Sequence, residues 1–198
     1  LGFNVRCFTY NDSARRAHSI AAQGGINAAL GNLDPADAPL HHMWDTVKGS
    51  DFLADQDVVR RFVEVSPREI LLLDHWGIPW TRDAHGRIEQ RPFGGHSYPR
   101  ATLAADKTGF FEMQTLYDQL LRYKCFKRYD ELFITDIVVE EGRFVALVGI
   151  HAPSGETVVR LEARLGFAGQ RHHAVAVLVG RRGAAAPCRR AAHRPSWR

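Results

Sequence analysis

An α/β fold is predicted by three stretches of this 198-residue sequence. Asp106 to Tyr123 sets Phe110, Met113, Leu116, Leu120 and Leu121 at helical spacing, giving one apolar stripe on an amphipathic helix. Leu132–Glu140, Phe144–His151 and Thr157–Glu162 are strand-like runs, and the turn formers Glu141-Gly142 and Pro153-Ser154-Gly155 between them predict a β-meander. Near the start, Asn4 to Thr9 reads as a short strand, entered after Gly2 and left through the polar Asn11-Asp12-Ser13.

The other elements follow in chain order. A small-residue segment from Ala17 to Ala29 has Gly24-Gly25 at its centre, and Asp34-Pro35 to Pro39 is a loop by composition. Either Asp55 or Asp57 is placed to cap a helix carrying Val58, Val59, Phe62 and Val63 on one face. Pro67 is expected to interrupt that helix, with a second run, Ile70 to Leu73, ending at Trp76-Gly77. Residues 80–105 are rich in Gly, Pro and charge and lack sustained periodicity; a stretch of that length without its own element is usually functional or a linker.

With 45% hydrophobic and 24% charged residues the chain has ordinary globular composition, so disorder is not the default. No apolar run approaches the ~20 residues that span a bilayer, and Leu1-Gly2-Phe3-Asn4-Val5-Arg6 has no signal-peptide pattern. The chain begins with Leu1 rather than Met, in mid-pattern, so an upstream segment is expected. Cys7, Cys125 and Cys188 are odd in number and widely spaced, with no C-x-x-C pair. They indicate neither a disulfide framework nor a zinc site, and fit a reducing compartment such as the cytoplasm.

The net charge of +4 is unevenly placed. Beyond Glu162 there are eight arginines and no acid, which leaves 18 basic against 22 acidic residues in 1–162. A mildly acidic body with a basic tail is not a nucleic-acid-binding surface, and no specific nucleic-acid partner is expected. The tail itself, dominated by Ala, Arg, Gly and His, reads either as disordered or as an out-of-frame translation of GC-rich DNA.

Three patches carry possible chemistry. In Arg15-Arg16-Ala17-His18-Ser19-Ile20-Ala21-Ala22-Gln23-Gly24-Gly25-Ile26-Asn27-Ala28-Ala29, glycines flanked by alanines let backbone lie flat against a planar ligand. Taken alone, Gly-Gly there is as well explained by a tight turn. Asp45-Thr46-Val47-Lys48-Gly49-Ser50-Asp51-Phe52-Leu53-Ala54-Asp55-Gln56-Asp57 reads by itself as a solvated loop leading into a helix cap. In Gln90-Arg91-Pro92-Phe93-Gly94-Gly95-His96-Ser97, with Arg100 and Ala104 to Gly109 after it, an aromatic beside two glycines suits a ligand wall or a structural loop.

Together and in this order, the three strings resemble the flavoprotein subunits of succinate dehydrogenase and fumarate reductase over residues 1–162. The resemblance implies a partial FAD-binding, Rossmann-like α/β domain over 1–162, its meander included, with residues 163–198 as a basic tail and the capping domain absent. It implies covalent FAD through His18, the cofactor also touching Arg16, Ser19, Ala22, Gln23, Gly24 and Gly25. Phe93, with Gly24, is expected to line the dicarboxylate pocket. The implied reaction is hydride transfer between succinate or fumarate and the flavin, with a proton moved at the neighbouring carbon. A bond from the flavin 8α carbon to imidazole withdraws electron density and raises the potential for oxidising an alkane C–C bond. The implied partners are an iron–sulfur subunit that takes the electrons and membrane-anchor subunits, which would place the protein in the cytoplasm, peripheral on the inner face of the membrane.

Departures from the family are part of the same reading. The glycine-rich pyrophosphate turn would precede Leu1, and a strand ending Ala-Thr-Gly-Gly-Ala-Gly is expected where Leu165-Gly166-Phe167-Ala168-Gly169 stands. The family's proton-donating Arg and carboxylate-binding residues have no match, so no catalytic residue and no metal ligand is assigned, and a fragment inactive alone is expected. L-aspartate oxidase shares the Ala-Gln-Gly-Gly-Ile core but lacks the flavin-linking His, and a flavoprotein of that kind is the alternative enzyme. A non-catalytic truncated product with a basic tail is the alternative from another class.

Overall fold

The chain's computed structural model describes residues 3–161, 165–167 and 176–181. In order, the elements are β1 (Phe3–Phe8), β2 (Ile26–Asn27), α1 (Pro39–Gly49), α2 (Gln56–Trp76), β3 (Gln90–Arg91), β4 (Ala101–Thr102) and α3 (Thr108–Leu121). Then come β5 (Phe126–Tyr129), β6 (Leu132–Glu140), β7 (Arg143–His151), β8 (Thr157–Leu161), β9 (Leu165–Phe167) and β10 (Ala176–Arg181). The described residues of 3–17 and 117–181 form one compact unit, and residues 18–116 form another.

In the first unit, β1 pairs in parallel with β5 and antiparallel with β10, giving the order β5-β1-β10-β9. Phe8 is fully buried and stacks on Tyr129, ring centroids 4.8 Å apart, with Leu132 and Leu147 completing the cluster. The β6-β7-β8 sheet is the expected meander. Its first hairpin turns at Glu141-Gly142, where φ is +48° and +73°; two left-handed residues make the turn whose twist matches that of the strands. The Leu132 amide donates to the Thr9 carbonyl at 3.0 Å, fastening β6 to the end of β1. Cys7 is a free thiol, whereas Cys125 is disulfide-bonded, against the expectation that the cysteines form no disulfide. Strands β9 and β10 lie within the stretch expected to be a tail; the rest of that stretch is outside the described residues.

The second unit contains two corrections. Helix α1 runs through Asp45-Thr46-Val47-Lys48-Gly49, a string that reads alone as a solvated loop. Its inward face carries His42 and Asp45 beside Val47, so the polarity that suggests a loop is buried. Helix α2 is unbroken at Pro67. Proline there removes the N–H that would meet the Val63 carbonyl, and the Ser66 hydroxyl donates to that carbonyl instead, at 3.1 Å. Asp55 is the N-cap, accepting from the Asp57 and Val58 amides at 3.0 and 3.2 Å. Gly77 ends the helix in the left-handed region with φ +109°. The two helices meet through Val47, Val59 and Val63. The larger core is Ala28, Ile70, Ile78, Trp80, Ile88 and Ala104, with Phe111 of α3 packed against it. Across that core runs a small sheet ordered β2-β4-β3, in which Thr102 opposes both Ile26 and Gln90.

Candidate functional site

Strands β2 and β3 both pair with β4, Ile26 and Gln90 opposing Thr102 and Asn27 and Arg91 opposing Ala101. Arg91 Nη2 donates to the Gly24 carbonyl at 3.1 Å and to the Gln23 carbonyl at 3.4 Å. A Cβ built on Gly24 would stand 3.5 Å from Phe93 Cζ, so the ring lies against this glycine at contact distance. Gly25 has φ +93°, and a side chain there would run into the Thr102 carbonyl; only glycine fits. Phe93 is 48% exposed, leaving ring surface for a ligand. The His96 amide donates to the Phe93 carbonyl at 3.2 Å, closing a turn through Gly95, and a ring nitrogen of His96 lies 3.4 Å from Asn27 Nδ2.

His18 opens a one-turn 3-10 helix, His18–Ala21. His18, Ser19, Ala22 and Gln23 are all exposed, yet the backbone beneath them is fixed. The Ala22 amide donates to the Ser19 carbonyl at 3.1 Å, and the Ala22 carbonyl accepts from Gly109 at the start of α3 at 2.8 Å. Gly109 is buried, and a Cβ on it would strike the Ser19 carbonyl oxygen. An open groove of about 330 Å³ runs beside this turn, lined by Ile20, Ala21, Gln23, Asp106, Lys107 and Phe110. Arg16 belongs to the other unit, where it closes the short helix Ala14–Arg16 and pairs with Asp12 at 3.1 Å on the surface.

Behind the Phe93 loop lies a buried ion cluster that the sequence does not announce. Arg100 is fully buried and forks onto Asp37, with Nε to Oδ2 at 3.0 Å and Nη2 to Oδ1 at 2.8 Å, while Nη1 reaches Asp45 at 2.5 Å. Asp45 also accepts from the Ser97 amide at 2.8 Å and the Ser97 hydroxyl at 2.6 Å. Burial acts to raise the Asp45 pKa, but the Ser97 hydrogen bonds and Arg100 outweigh it and hold the carboxyl below its ordinary value. His42 faces the same cluster; burial, with the Arg100 charge next, lowers it to about 4.

Ala21 and Ala22 are exposed and Gly24 is half-buried, so side-chain bulk along 21–24 is confined to Gln23, and His18 stands exposed at the head of this stretch. Small residues of this kind leave room for a planar ligand. A profile for the FAD binding domain matches residues 2–193. The chain belongs to the FAD-binding domain family. Its relatives are flavoprotein subunits of fumarate reductase and succinate dehydrogenase. It is 45% identical over 146 residues to the fumarate reductase flavoprotein subunit of Mycobacterium tuberculosis (strain CDC 1551 / Oshkosh), covering 73% of this chain and 24% of that protein. It is 41% identical over 162 residues to the succinate dehydrogenase flavoprotein subunit of Rickettsia conorii, covering 78% and 27%.

Solved structures agree on the FAD-binding domain. E. coli quinol fumarate reductase superposes with a TM-score of 0.69 at 38% identity, over 75% of this chain and 25% of that one. The Mycobacterium smegmatis Sdh1 complex in the apo form gives 0.72 at 26% identity, over 79% and 28%. The chain spans about a quarter of the length of these relatives.

The FAD-binding fold thus brings Gln23, Gly24, Gly25 and Phe93 together, and sets His18, Ser19 and Ala22 on the turn locked by Gly109. Arg91, Arg100 and Gly109 lie in the third string and Asp45 in the second, but sequence reasoning gave none of them a supporting role. For Gly109 one signal is visible, a glycine one residue into a helix. Arg91 and Arg100 give none, since a buried arginine and a surface one read alike. Among the described residues no helix is long and apolar enough to cross a membrane, and no group of three metal-binding side chains occurs.

Proposed function

We propose that this chain is the flavin-anchoring part of an oxidoreductase subunit that interconverts succinate and fumarate. The observation that carries the proposal is the exposed turn led by His18, locked by Gly109 and continuing into a Gln23–Gly25 wall against which Phe93 packs. The 45% identity to a fumarate reductase flavoprotein subunit supports it. When bound, FAD supplies the acceptor for a hydride from the dicarboxylate, or its donor in reverse.

The chain's own residues anchor and orient. The His18 imidazole, bonded to the flavin 8α carbon, holds the ring and raises its potential by withdrawing electron density. Gln23, Gly24 and Gly25 present backbone to the ring, with Arg91 fixing two of their carbonyls. Arg16, Ser19 and Ala22 complete the contacts assigned to the cofactor. Phe93 walls the dicarboxylate pocket beside Gly24 and excludes water from it. No residue of this chain is given the proton transfer. An iron–sulfur subunit takes the electrons, and membrane-anchor subunits hold the assembly on the inner face of the membrane.

The test is a dye-coupled succinate assay on the full-length subunit in its complex, comparing wild type with Phe93→Ala. Loss of the wall is expected to raise KM for succinate about tenfold, the scale of one well-packed aromatic contact. Absence of succinate and fumarate turnover by the wild-type complex would contradict the proposal.

A further inference from the structure

We infer that Asp45 is a positioning residue: from helix α1 it holds the loop that carries Phe93. The inference rests on the reading of Phe93 as a wall of the dicarboxylate pocket, and deepens it.

The loop between Arg91 and Ser97 is held at both ends. At one, Arg91 is fastened to the Gln23 and Gly24 carbonyls. At the other, both oxygens of Asp45 are given to Ser97, Oδ2 to its amide and Oδ1 to its hydroxyl. Between these anchors the turn from Phe93 to His96 adds one backbone bond, at 3.2 Å. Ser97 lies four residues from Phe93, next to the His96 that closes the turn carrying the ring.

Charge shows that Asp45 is not there merely to neutralise Arg100. Asp37 already meets Arg100 through two parallel hydrogen bonds, and that pair is balanced. The three side chains are 0%, 1% and 4% exposed for Arg100, Asp37 and Asp45, so a second carboxylate leaves one uncompensated negative charge in the interior. The imidazoles facing the cluster are those of His42, which is kept neutral, and His96. An extra buried charge is costly unless its oxygens are used; Oδ1 of Asp45 is used on the Ser97 hydroxyl, and Oδ2 is shared between Arg100 and the Ser97 amide. The network therefore ties the Phe93 loop to α1.

The test has two readouts. In the 198-residue chain, hydrogen exchange at the Ser97 amide is expected to speed up about tenfold or more in Asp45→Asn, the scale of one lost charge-assisted bond. In the full-length holoenzyme, Ser97→Ala keeps every ion pair and loses one bond to Asp45. It is expected to raise KM for succinate about fivefold, with kcat and covalent flavin within twofold of wild type and with recovery in Ser97→Thr. Unchanged Ser97 exchange in Asp45→Asn overturns the inference, and so does a KM within twofold of wild type in Ser97→Ala. If Asp45→Asn does not fold, the KM of Ser97→Ala decides alone, with the same expected rise and the same overturning result. Faster exchange together with no dicarboxylate turnover by the wild-type holoenzyme would sustain the role of Asp45 and overturn the reading of the pocket.

Discussion

The amide of Gly109 donates to the carbonyl of Ala22 at 2.8 Å, tying the turn that begins at His18 to the first turn of α3. The approach is so close that a methyl group on Gly109 would meet the Ser19 carbonyl oxygen and the Ala22 side chain. Gly109→Ala is therefore expected to destabilise the chain by about 1–3 kcal/mol, the usual cost of overpacking. In the full-length subunit it should also lower the fraction of covalently bound flavin, because the turn must shift. Urea denaturation and flavin absorbance after acid precipitation measure the two effects.

Helix α2 continues through Pro67 because Ser66 serves the carbonyl that proline leaves open. Ser66 is buried, so water does not readily replace the bond. Ser66→Ala should cost about 1 kcal/mol, the scale of one neutral hydrogen bond. Ser66→Thr, which keeps a hydroxyl, should lose less. Thermal melts of the two variants check the ranking.

Stability should depend on pH through His42, whose pKa falls from 6.5 to about 4 on folding. Above about 6.5 the ring is neutral in both states, and its full contribution is present. As pH falls from 6.5 to 4 the unfolded chain binds a proton that the folded chain refuses, so stability is lost across that window. Chemical denaturation at steps between pH 4 and 7 should show this slope, and His42→Gln should flatten it. An identical slope in the variant would rule out His42 as its source.

Much of this architecture is legible in the residue pattern. Apolar spacing from Phe110 to Leu121 gives α3 to within two residues at each end, and the Glu141-Gly142 turn gives the β6–β7 hairpin. Patterns failed where polar residues do the work of apolar ones. Helix α1 buries His42 and Asp45, so hydrophobic periodicity does not mark it. Residues 80–105 are dominated by charge, glycine and proline because Arg100 is matched internally and strands β3 and β4 are two residues long, too short for an alternation to appear. In the candidate site, His18, Gly24 and Phe93 stand out through their strings. Their supports do not, because Arg91 acts on carbonyls 67 and 68 residues away in sequence.

Attachment of the flavin at His18 is tested most directly by in-gel flavin fluorescence after acid denaturation of the full-length subunit. Wild type should give a fluorescent band. His18→Ser should give none while still binding extractable FAD, and should lose succinate oxidation more than fumarate reduction, since the electron-withdrawing bond that raises the flavin potential is gone. A His18→Ser band that still fluoresces would contradict the attachment.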